Sequence, residues 1–203
     1  MTVAKWPGTL WQAEIIDEAK NTGLLDYAKY SRANAVKILE KLSLDVLFGN
    51  YGEGILKIIE STNAFDIDTV QKLSSTLPAE ASALYSKGWN IFGGTVKDQP
   101  PYNGRNQTDT IAMPGDEGSS PINNGFSIIY SQVFDRTKDL TGGKAILVDE
   151  EGKAYLDGTW SNACNAYLYA AMAIAYQDKL TNNEIEILSK AWEGVYGAST
   201  VIS

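Results

Sequence analysis

The chain has no histidine and a single cysteine, Cys164, in 203 residues. Histidine is the commonest general acid and base near neutral pH and the commonest metal ligand. Its absence excludes Ser-His-Asp and Cys-His nucleophile systems, imidazole zinc sites and haem held by histidine. One cysteine also excludes thiolate zinc sites, cysteine-ligated iron–sulfur clusters and a disulfide within the chain. Carboxylates are the strong metal ligands left, which limits the chain to weak Mg²⁺ or Ca²⁺ binding. No cofactor and no metal site are expected.

Positive charge is also scarce. Seventeen Lys and Arg against 25 Asp and Glu give a formal charge of −8, and the pI is about 4.6. No basic run is present, so nucleic acid is not an expected partner. The acidic residues spread through both halves and read as a solvated surface. No run reaches the ~18–20 apolar residues of a membrane span. Met1–Gly8 lacks the apolar stretch of a signal peptide, so a cytoplasmic or particle-associated chain is expected. The match to a glycosylation sequon at Asn106-Gln107-Thr108 is read as chance.

What is present builds a core. The apolar fraction is 44% and there are five Trp, enough for one domain or two small ones. Thr9 and Gln12 suggest a capping box opening a helix over 10–22, with Ile15, Ile16 and Ala19 on one face and Gly23 ending it. A longer helix is expected over 25–48. Val36, Leu39, Leu42, Val46 and Leu47 would form its buried stripe, and Lys37, Glu40 and Lys41 its wet face. Gly49-Asn50-Tyr51-Gly52-Glu53-Gly54 fits no phosphate-binding spacing and reads as a helix stop and tight turn. Further helices are expected over 54–62, over 68–75 capped by Asp66 or Asp68, and over 78–88 from Thr76 and Pro78.

Four of the six prolines, Pro100, Pro101, Pro114 and Pro121, fall within 93–125 among Gly, Asn, Asp and Ser. That segment has no periodicity and reads as a linker or as an arm lying on a neighbour. The stretch 126–134 suits strand or helix equally. Two short apolar runs over 144–156 flank Asp149-Glu150-Glu151-Gly152, the pattern of a β-hairpin. The acids there lack EF-hand spacing. Ser161 or Asn162 would cap the most apolar helix, 163–178. It carries Ala163, Ala166, Ala170 and Ala173 on one face and Tyr169, Met172 and Tyr176 on another. Thr181-Asn182-Asn183-Glu184 is a capping box for a last helix over 182–193, ended by Gly194 and Gly197. The stretch from Leu77 to Trp89 resembles that from Leu180 to Trp192 at a constant offset, each ending in Ser-Lys-small-Trp.

The chemistry searched for yields little. Cys164 lies near a helix start, where thiols are activated, but its apolar neighbours and the missing base make it a buried structural residue. Ser-x-x-Lys, Gly-x-Ser-x-Gly and Tyr-x-x-x-Lys do not occur. Glu14, Asp17 and Glu18 read as a solvated face of the first helix rather than a paired-carboxylate site. The eleven Tyr and five Trp read as core.

The reading is a mainly α protein: a helical bundle in two lobes, with a small β-hairpin and a long irregular central segment. Residues 1–92 form a helical lobe, 93–125 the arm or linker, and 126–203 a second lobe with the 144–156 hairpin. For function, the features point to a non-enzymatic structural or assembly subunit that self-associates into a shell or filament, as in a virus-like particle. Ala163, Ala166, Ala170 and Ala173 are the candidate packing or interface residues. A second reading is a helical binding protein for a small apolar or aromatic ligand, on Tyr169, Met172 and Tyr176. A third is a carboxylate-based hydrolase.

Overall fold

The computed structural model describes residues 6–18, 33–95 and 121–197. Its first element corrects the sequence reading. Where helices were expected over 10–22 and 25–48, the chain forms an antiparallel ribbon of β1 (Leu10–Glu18) and β2 (Ala33–Leu42). Within those two spans, residues 19–22 and 25–32 lie outside the described residues. The pairing explains the error. Leu39 in β2 and Ile16 in β1 are extra residues at register shifts, so apolar doublets (Ile15-Ile16, Ile38-Leu39) interrupt the alternation that marks a strand. Doublets at such spacing imitate a helical stripe. That stripe is not buried either: Val36, Leu39 and Val46 are exposed, Leu42 is half-buried, and only Leu47 enters the core.

A short 3-10 turn, Leu44–Phe48, follows β2 directly and leads through Gly49 (φ 86°) into α1 (Gly52–Ser61). Asp66 caps α2 (Ile67–Thr76), its carboxylate accepting from the Thr69 backbone N–H at 2.8 Å. That bond to the Thr69 amide holds its pKa below the usual carboxylate value. Thr76 does not open the next helix; its hydroxyl donates back to the Lys72 carbonyl at 2.7 Å. That helix, α3, runs over Ala81–Thr95, and α4 over Pro121–Thr141. The irregular segment expected over 93–125 is therefore helical at both ends, and its middle, 96–120, lies outside the described residues. The ambiguous stretch 126–134 is helix: Gly125, Ile129, Val133 and Thr137 recur every fourth residue and are all buried.

The hairpin expected over 144–156 is present as β3 (Ile146–Val148) and β4 (Ala154–Leu156). Its acidic turn is structural. Asp149 accepts from the backbone N–H groups of Glu151 (3.0 Å) and Lys153 (2.7 Å), and Gly152 takes φ 79°. Next comes α5 (Gly158–Ala175), which starts before Ser161 and Asn162, with Asp157 at its N-cap. The capping box of Thr181 and Glu184 opens α6 (Asn182–Tyr196) as read. This helix continues through Gly194 and stops at Gly197 (φ 92°).

The fold is mainly α, with six α-helices among the described residues. All the other helices and β4 pack on α5. One contiguous core takes residues from α1 and α2 as well as from α4, α5 and α6, with α5 the largest contributor. Polar ties cross it. The Trp192 indole N–H donates to Ser61 Oγ (2.9 Å), Thr62 Oγ1 meets Gln132 Oε1 (2.8 Å), and Arg136 donates to the carbonyls of Asn63 and Phe65. Lys87 of α3 bonds Glu184 of α6 at 2.6 Å, which lowers the Glu184 pKa.

Glycine permits the closest approaches. A Cβ on Gly88 would collide with the Met172 side chain, one on Gly54 would lie 2.9 Å from Ile174, and one on Gly52 would overlap the Asp45 backbone carbonyl. Gly194, by contrast, is exposed and helical with open space where its Cβ would lie. The same substitution therefore has opposite signs at two helical positions. Gly52→Ala is expected to destabilise by about 1–3 kcal/mol, because backbone must move. Gly194→Ala is expected to stabilise by roughly 0.5–1 kcal/mol through helix propensity. Calorimetry should show the melting temperatures moving in opposite directions, by about 2–4 °C per kcal/mol at this chain size.

Candidate functional site

The α5 candidates are all placed. Ala163, Ala166, Ala170 and Ala173 have no exposed surface, and their faces are taken up within the chain's own core. Small side chains let α5 sit among five helices at once. Met172 is fully buried beside Gly88, and Tyr169 is buried with its ring centroid 4.7 Å from that of Tyr85. Tyr85 in turn touches Trp89 and Phe126 edge-on. Tyr176, at the end of α5, is half-buried, and burial pushes its hydroxyl up to about 12. Tyr169 and Met172 of the proposed ligand face thus belong to packed aromatic and sulfur contacts, and Tyr176 packs against the edge of the core.

The remaining reactive groups are also in the core. Cys164 is buried, and loss of hydration raises its thiol pKa to about 12. Tyr167 is fully buried, with its hydroxyl bonded to that of Tyr196; burial pushes both above the ordinary tyrosine range. Phe65 stacks at a tilt on Tyr167 and meets Trp160 edge-on, closing the end of that pair. Glu14 and Asp17, read as a helix face, lie instead on the ribbon, as does the backbone of Glu18. Glu14 faces Lys37 across the strands, and Asp17 accepts from the Asn34 amide at 3.2 Å. Among the described residues no group of three acids or cysteines could hold a metal ion. None of the helices among them is long and apolar enough to cross a membrane.

The exposed feature with the greatest apolar content is the β1–β2 ribbon, which sequence reasoning missed. Paired residues share a face and successive residues alternate between faces. Trp11, Ala13 and Ile15, opposite Lys41, Ile38 and Val36, therefore form one face. Gln12 and Glu14, opposite Glu40 and Lys37, form the other, and Asp17 opposite Ala35 continues it past the extra residue Ile16. The ribbon is amphipathic, yet its apolar face has no cover among the described residues. Trp11 (49%), Ile15 (44%), Val36 (50%) and Ile38 (53%) remain open to solvent, with Ile16 and Leu39 beside them. Among the described residues the anchoring contacts lie at the base: Leu10 and Leu44 pack against the core, and Trp6 meets Phe48 edge-on with centroids 5.8 Å apart. The signal for this face was the β-branched pair of runs Ile15-Ile16 and Val36-Lys37-Ile38.

Comparison with protein-family models, with curated proteins and with solved structures gives no match to this chain.

The packing around Cys164 has a measurable consequence. With its thiol pKa near 12 and no path from solvent, native Cys164 should react with thiol reagents only as fast as the protein unfolds. Cys164→Ser should lower stability by roughly 1–3 kcal/mol through a buried hydroxyl. Labelling of the native protein at the rate of the denatured one would contradict this placement.

Proposed function

We propose that this chain is a non-enzymatic assembly subunit that forms a homo-oligomer, of the shell or filament type. The observation that carries the reading is the division of apolar surface in the fold. The helical body buries most of its apolar residues around α5 and leaves Val46, Ile67, Leu140 and the hairpin residues Leu147, Val148 and Tyr155 exposed, while six large exposed side chains gather on the ribbon. Scattered exposed apolar residues are ordinary on a monomer, but a contiguous row on one face marks a surface made to be covered. The net charge of −8 supports a protein surface rather than a phosphate backbone as what covers it. Burial of the reactive hydroxyls and thiol in packed contacts supports a structural role for them. The ligand-binding alternative has less support, since Tyr169 and Met172 would have to leave core contacts to admit a guest.

Light scattering over a range of concentrations, with electron microscopy of the same sample, tests the reading. An assembly subunit should show a mass well above 22.1 kDa, with defined particles or filaments. A monomer at high concentration would end it.

A further inference from the structure

We infer that the apolar face of the β1–β2 ribbon docks on the same face of a second copy of this chain, ribbon against ribbon about a two-fold axis. The inference rests on the assembly reading and specifies its contact. Three observations select a second copy.

The first is area. The exposed side chains of Trp11, Ile15, Val36 and Ile38, each 44–53% open, leave on the order of 400 Å² of apolar surface, since a large side chain carries roughly 200 Å². Two such faces in contact bury on the order of 800 Å², the size of a weak contact that forms as concentration rises. The second is charge. Two copies that each carry −8 repel wherever acids meet. The polar face of the ribbon carries Glu14, Asp17 and Glu40, whereas the apolar face over the pairs Trp11–Lys41, Ala13–Ile38 and Ile15–Val36 carries only Lys41. A like-charged copy can therefore approach by the apolar face. The third is shape. An isologous contact needs a patch that complements itself. Ala13, the smallest side chain of the face, lies between the bulky Trp11 and Ile15. The face thus holds a projection and a hollow one step apart, about 7 Å along the strand. A two-fold rotation brings the Trp11 of each copy over the Ala13 of the other.

Face packing is favoured over edge pairing. The register shifts at Leu39 and Ile16 twist both strands, which blunts the open edges of a two-stranded sheet. Two ribbons of the same twist pack face to face, about 10 Å apart and crossing at about −30°.

The test compares three proteins by sedimentation over a concentration series: wild type, Ile38→Glu on the apolar face and Glu40→Gln on the polar face. Ile38→Glu should weaken self-association at least about 100-fold, because a charge is buried without a partner, with the helical circular dichroism unchanged. Glu40→Gln should change it less than about threefold. Ala13→Cys keeps the ribbon intact and should be joined to its copy by a bis-maleimide linker of roughly 10 Å, about the separation of two packed faces, whereas Glu40→Cys, on the opposite face, should not. This arm decides the matter even if Ile38→Glu melts the ribbon. If wild type associates while Ile38→Glu associates equally and Ala13→Cys does not cross-link, the ribbon contact is overturned and the assembly reading stands. If wild type is monomeric, both are overturned.

Discussion

The rest of the structure depends on one constraint: α5 is surrounded. Eleven residues of this 18-residue helix are buried, and they face neighbours on all sides. A helix in that position cannot carry large side chains all round, because each neighbouring axis lies only about 8–10 Å away. The constraint is met from both directions. On α5 itself, Ala163, Ala166, Ala170 and Ala173 thin one side. On the neighbours, Gly54 and Gly88 make room for Ile174 and Met172. The resemblance between 77–89 and 180–192 acquires a physical content here. Gly88 and Ala191 are the small, buried members of the two Ser-Lys-small-Trp runs, on two of the helices that pack on α5, and each is followed by a tryptophan that belongs to the core or packs against it.

The ribbon obeys different energetics. Its strands pair with each other, and among the described residues only its base joins the core, through Leu10, Leu44 and the Trp6–Phe48 contact. A two-stranded ribbon alone in water is marginal, and stability normally requires a third strand or a packed face. Here the polar face has its cross-strand pair, Glu14 with Lys37, while the apolar face loses the burial that would stabilise it. Each large side chain left open forgoes roughly 1.5–3 kcal/mol of transfer free energy. The helical body and the ribbon are thus two regions of unequal stability within one chain.

Legibility in the sequence followed the range of the interactions. The capping box of Thr181 and Glu184, the Asp66 cap and the Asp149–Gly152 turn were readable because each is decided within four residues. The apolar character of α5 predicted its burial, although its start was placed too late because Asp157 caps it without a side-chain bond. The ribbon was unreadable because its partners are far apart in sequence, Leu10 with Leu42 and Ile15 with Val36, and because three register shifts break the alternation. The close approaches at Gly54, Gly88 and Gly125 were equally invisible, since each depends on a residue from another helix.

The central claim is that α5 organises a stable body from which the ribbon stands energetically apart. Native-state hydrogen exchange, at a dilution where the chain is monomeric, tests it most directly. Amides of α5 should exchange only through global unfolding, while those of β1 and β2 beyond the Leu10–Leu42 base should exchange orders of magnitude faster by local opening. Ribbon amides protected as strongly as those of α5 in the monomer would contradict the account.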